Sequence, residues 1–247
     1  MNKDISGMLS EWEYDPASVI ARTITSETGK KFIQLRLDLG IFQMHPDGRP
    51  DGSRPRGCES ILQYYQTQQS TSKGIFVLNG DDCSELQQEA QQYYYRYLAE
   101  FKLDDFEAVV RDTKHNLEIF EFVSKYAEAE DMAWEFLQYK PYVLMMQARA
   151  KAEMAAKKNA FDQACLAIMD GLELIWAFWD SQDEPEMKVD SYDVEVLTNL
   201  LEKYLNNKPH TRIDDLREEL DYAVSVENFE KAAELRDQLK ALQGHLV

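Results

Sequence analysis

The chain has 247 residues, and 45 Asp and Glu against 27 Lys and Arg give it a formal charge of −18. Hydrophobic residues make up 44%, enough for one large core or two small ones. So negative a surface repels phosphate backbones, which argues against direct nucleic-acid binding and favours basic protein partners.

Ten Gly and seven Pro are few for this length and lean towards helix. The three cysteines, Cys58, Cys83 and Cys165, are widely spaced without a CxxC pair, so neither a zinc ribbon nor a disulfide framework is expected. The opening residues are polar with no apolar h-region, and no run of about 18 apolar residues follows. The expectation is a cytoplasmic chain with no membrane partner.

In chain order, residues 17–44 read as strand. SVIART is β-branched, Gly29 marks a turn, and Ile33, Leu35, Leu37, Leu39 and Ile41 alternate with polar residues. That period of two predicts a hairpin with one buried face. HPDGRPDGSRPRG, residues 45–57, is loop, and GIFVLN at 74–79 offers a third strand. From Asp81 or Ser84 onwards the period is helical. Helices are predicted to about Phe101, over 104–126, 129–138, 141–158, 160–179 and 190–205, with a linker at 181–188 and a break at 206–211.

Residues 102–123 echo residues 157–178. Phe106 matches Phe161, Val109 matches Ala164, Asn116 matches Gly171 and Leu117 matches Leu172, each 55 residues on. An aromatic followed by small residues at these spacings resembles the second helix of a tetratricopeptide repeat. Ala148, Ala152 and Ala155 would be the small positions of a first helix, letting two backbones approach. Thr113 and Asn116 depart from that pattern, and the period is long for it.

The last segment, 211–243, carries two apolar stripes. Leu216, Leu220, Ala223 and Val224 form the first. Phe229, Ala232, Ala233, Leu235, Leu239 and Leu242 form the second, after a break at Val226–Asn228. This predicts an αα-hairpin capped at Asn228, with Phe229 plugging the turn. The residues L-x-x-x-L-x-x-A-V at 216–224 and NFEKAAELRD-x-L at 228–239 resemble the UVR domain, the UvrB/UvrC motif. The resemblance implies a hairpin that pairs with another protein, as between the excision-repair proteins UvrB and UvrC or in Clp-type ATPase systems. Contact would fall on Leu216, Leu220, Phe229, Leu235 and Leu239, with Arg236 as a polar contact. The expected partner is a UVR-containing protein, a repair protein, a Clp-type ATPase or a second copy of the chain.

Chemistry-bearing motifs are sparse. His45, His115, His210 and His245 are scattered, and HExxH, GxSxG, GxGxxG and GxxxxGK[ST] are all missing. No catalytic residue, metal site or cofactor is expected. Arg49, Arg54 and Arg56 gather in the 45–57 loop of an otherwise acidic chain, beside glycines whose N–H groups could join them around a carboxylate or phosphate; the alternative is that they pair with nearby acids. Tyr64, Tyr65, Tyr93, Tyr94, Tyr95 and Tyr97 suit either core or interface.

These readings give an α+β chain, mainly α. Residues 1–83 would hold a small antiparallel sheet and the arginine loop, 84–205 a helical-repeat-like body, and 211–243 the hairpin. The expected function is a non-enzymatic adaptor. The alternatives are an accessory factor of nucleotide excision repair acting through a Uvr protein, and an enzyme or anion-binding protein using the 45–57 loop.

Overall fold

A computed structural model describes residues 4–207 and 212–244. The protein is mainly helical, with a three-stranded antiparallel sheet near its start. It forms two compact units, Met1–Tyr204 and Leu205–Val247.

In the first unit, α1 (Ser6–Ser10) leads to β1 (Ile20–Thr25), β2 (Lys31–Leu37) and β3 (Gly40–Met44), ordered β1-β2-β3. The predicted alternation ran past Leu37, but Asp38 and Leu39 form a two-residue turn closed by the pair Leu37–Gly40. Leu39 is therefore 85% exposed, and the third strand is 40–44. Residues 74–79 make no strand; Leu78 forms only a single parallel bridge to Ala127. Both faces of β2 are covered. Ile33 and Leu35 pack with Ala99, while Gln34 and Arg36 are also buried. Residues before β1 supply the second cover: Arg36 Nε donates to Trp12 O at 2.9 Å, and the Arg22 guanidinium lies 4.0 Å over the Trp12 ring.

Nine-residue-plus helices follow α2 (Ile61–Thr71), a helix absent from the predicted set because its QTQQST end shows no apolar period. They are α3 (Gly80–Lys102), α4 (Phe106–Tyr126), α6 (Lys140–Ala156), α7 (Phe161–Ser181) and α9 (Tyr192–Asn207), with the shorter α5 (Glu130–Leu137) and α8 (Met187–Asp190) between. Helix α3 starts earlier than predicted because Asn79 accepts from the Asp81 and Asp82 amides while Asp82 accepts from the Asn79 amide, a reciprocal cap. The predicted boundary at 83/84 thus falls inside α3. Cys83 and Leu86 share a core with Ile61, Leu62 and Phe136, so the sequence on either side of that boundary packs together.

The 55-residue echo has a backbone counterpart. Asp104 and Asn159 both adopt left-handed φ, +61° and +56°, and the next residue donates five back: Asp105 N to Glu100 O and Ala160 N to Ala155 O, each 3.0 Å. The α3–α4 and α6–α7 corners are thereby alike. Between α6 and α7 the backbones cross closely. A Cβ at Gly171 would collide with that of Ala148, which explains the small residues at both positions. Asn116, at the matching place in α4, instead donates from Nδ2 to Ala90 O of α3 at 3.0 Å. Of the tyrosines, Tyr65, Tyr93 and Tyr97 are buried and Tyr64, Tyr94 and Tyr95 half-buried, so packing claims most of their surface.

Candidate functional site

The second unit is a helical hairpin, α10 (Arg212–Ser225) and α11 (Phe229–Gly244). Its corner repeats the geometry above: Glu227 has φ +58°, and Asn228 N donates to Ala223 O at 2.8 Å. Asn228 Oδ1 accepts from Lys231 N at 3.2 Å, the cap its position predicts. Leu216, Ala223, Ala232, Leu235 and Leu239 are buried against one another, with Leu220 half-buried beside them.

This placement divides the predicted contact residues. Leu216, Leu235 and Leu239 hold the hairpin closed and offer almost no surface, with Leu216 and Leu235 each 1% exposed. Phe229 does not plug the turn. It is 67% exposed, and with Tyr222 at 70% and Val226 at 53% it leaves apolar surface at the turn end. Ala233 is exposed, and of the two alanines it is Ala232 that is buried in one cluster with Ala223. Arg236 is exposed and bonds Asp237 at 3.1 Å. Leu242 lies outside the residues whose side chains are described. Tyr222 and Val226 were missed as candidates because Tyr222 lies off the leucine stripe and Val226 falls in the predicted break; only the burial of the leucines shows what apolar surface remains. Between Arg217 and Lys231 the sequence has five acidic residues, Glu218, Glu219, Asp221, Glu227 and Glu230, and no basic one.

The 45–57 loop is organised from within. Arg49 Nε donates to Glu89 Oε2 at 3.0 Å, and its Nη1 donates to Asp51 at 2.8 Å and to Ser53 Oγ at 2.6 Å. Arg56 forms a two-bond fork with Glu85, and Arg54 pairs with Glu59. All three guanidiniums face carboxylates of this chain rather than a shared empty space, so the three do not converge on an anion. Glu89, on α3 and fully buried, is the hub. It accepts from the Ile61 and Leu62 amides at 2.7 and 3.1 Å, capping α2, and bonds His115 Nε2 at 3.1 Å. Burial works against its charge, but the bonds from His115 and the two amides outweigh that and hold the carboxyl below its ordinary value.

A second buried cluster fixes the start of the loop. Arg96 donates to Asp112 at 2.5 and 2.8 Å and to the His45 and Gly48 carbonyls at 2.9 and 2.8 Å. Arg111 bonds Glu100 and Asp112, each at 2.8 Å. Burial, then the Asp112 charge, push the Glu100 carboxyl up to about 8, with Arg111 and Arg96 offsetting only part. Arg96, Glu89 and Glu100 were not singled out in the sequence because charged residues on a helix read as its wet face. A cleft of about 250 Å³ opens beside this cluster, between Gly48, Tyr93, Arg111, Lys114 and His115. Among the described residues no group of three or more His, Cys, Asp or Glu could hold a metal ion. Among the described residues no helix is long and apolar enough to cross a membrane.

Fold and hairpin together define a mainly helical protein with a compact C-terminal αα-hairpin of its own. Residues 211–244 match the family model of the UvrB/uvrC motif, UVR. No curated protein and no solved structure matches the chain.

Proposed function

We propose that the protein is a non-enzymatic adaptor whose UVR hairpin captures a partner protein through Tyr222, Val226 and Phe229. The observation that carries this is the division of labour in the hairpin. Its leucines are consumed in closing it, yet four large apolar side chains, Tyr222, Val224, Val226 and Phe229, stay in water around the turn. Exposed aromatics within a few residues of one another are the composition of an interface centre. UVR motifs mediate protein interactions, which supports the same reading. The acidic rim from Glu218 to Glu230 favours a partner whose apolar pocket is edged with Lys or Arg. The repeated helix corner supports reading the first unit as a helical-repeat body.

The test is affinity purification with mass spectrometry from the native cell, comparing wild type with Tyr222→Ser/Phe229→Ser. Loss of a defined partner with both units still folded is expected. Retention of every wild-type partner overturns the proposal. Recovery of excision-repair proteins would place the adaptor in DNA repair, acting through a Uvr protein; recovery of a Clp-type ATPase would place it in proteolysis.

A further inference from the structure

We infer that the groove between β3 and α3 binds an extended polypeptide segment as a fourth strand of the sheet, a site independent of the hairpin. Among the described residues strand β3 is an edge, paired only with β2. The two-residue turn makes Leu37–Gly40 the closing hydrogen-bonded pair, so the alternation points the main-chain groups of Phe42 and Met44 at β2 and those of Ile41 and Gln43 outwards. Among the described residues those outward groups make no hydrogen bond.

The sheet packs on α3 through β1 and β2, and the space left beside β3 is a groove of about 410 Å³. Its far wall is one stripe of α3, Gln88, Gln91, Gln92 and Tyr95, at i, i+3, i+4 and i+7 spacing. A carboxamide both donates and accepts, which is what a peptide main chain needs on the side away from its strand partner. Gln92 is held by Asp51 through Nε2 at 3.2 Å while its Oε1 is buried with no partner, an unmet acceptor that an arriving donor relieves after a small rotation. Phe42, edge-on to Tyr95 at 4.7 Å and 39% exposed, offers an apolar contact for an alternate side chain of the incoming strand. An open edge beside a helix is a recurrent mode of peptide capture, with main-chain bonds supplying affinity and every second side chain supplying selectivity.

The occupant is a segment of another protein with basic and β-branched residues. Asp51 in the groove lining is already paired with Arg49, so the preference for basic residues rests on the formal charge of −18, which also repels a second copy of the same edge.

The probe is a blocked, fluorescein-labelled octapeptide of alternating Lys and Val, titrated by anisotropy. A peptide of equal charge with alternate amides N-methylated serves as control. The expected result is saturable binding, at least tenfold weaker for the control, with amide-exchange protection appearing at Ile41 and Gln43. Gln43→Pro removes one outward donor and keeps the main-chain ladder to β2, losing only the side-chain bond from Gln34 Nε2, and is expected to weaken binding at least tenfold. Gln92→Leu, which leaves the strand intact, is expected to weaken it as well. Equal binding of the two peptides, no binding of either, or binding unchanged in both variants overturns the inference. So does a dimer by light scattering whose edges occupy each other.

Discussion

Glu100 couples stability to pH at the scale of one residue. Its carboxyl is raised from an ordinary value near 4.5 to about 8 by burial and by Asp112. The folded protein therefore holds a proton there that the unfolded chain releases at neutral pH. That stabilisation is fully present below the ordinary value and is lost as pH rises through about 8. Wild type is expected to be more stable at pH 6 than at pH 9 by urea unfolding, and Glu100→Gln, which keeps a neutral group there, narrows the gap. A gap unchanged in the variant would exclude Glu100 as its source. Glu89 works in the opposite sense, since it is stabilised as an anion. Replacing it by Ala strips the α2 cap and leaves Arg49 beside a vacancy, with an expected cost of about 3 kcal/mol by denaturant unfolding. Were the cost below about 1 kcal/mol, Glu89 would not be the hub of the loop.

Elements locate where close packing decides. Gly171→Ala would gain up to about 1 kcal/mol of helix propensity in isolation. Here the new Cβ meets Ala148, and overpacking of about 1–3 kcal/mol wins. The single variant is therefore expected to be less stable, and Ala148→Gly in the same chain to recover part of the loss, a coupling that a double-mutant cycle measures. Additive effects would show that the two helices do not touch there. In the hairpin, Leu235→Ala is expected to cost about 2–4 kcal/mol in helicity-monitored unfolding of that unit, whereas Phe229→Ser costs less than about 0.5 kcal/mol because its ring is already in water. Equal costs would mean that Phe229 is part of the hairpin core. These elements also mark what the sequence discloses. The period of 3.6 placed α4, α6, α7 and α9 within a few residues, and the αα-hairpin came with its Asn228 cap. The strand pattern overran at Leu39 because a two-residue turn preserves alternation. What was not legible is that the two stripes bury each other, so that the leucines are consumed and Tyr222, Val226 and Phe229 stay outside.

Across the whole molecule, charge pairing inside and charge excess outside have separate consequences. The arginines of the 45–57 loop stood out in the sequence as an island in an acidic chain. Their carboxylate partners lie up to 40 residues away, Glu89 for Arg49 and Glu85 for Arg56, a distance no local pattern spans. Once those pairs are made, the excess of 18 negative charges is left to act on whatever approaches. Around Tyr222, Val226 and Phe229 the five carboxylates from Glu218 to Glu230 have no Lys or Arg among them in sequence. Apolar contact is insensitive to salt, but steering of a basic-rimmed partner towards this rim is screened beyond a Debye length, about 10 Å at 0.1 M. Association with the partner recovered on the hairpin is therefore expected to slow about tenfold or more between 0.03 and 0.3 M NaCl, with dissociation changed far less. Glu227→Lys/Glu230→Lys, which reverses the charge beside Phe229 without touching its ring, is expected to flatten that salt dependence. Stopped-flow or surface plasmon resonance measures both. Association rates that stay constant across the salt range would show that the rim takes no part in recognition and that the apolar cluster alone selects the partner.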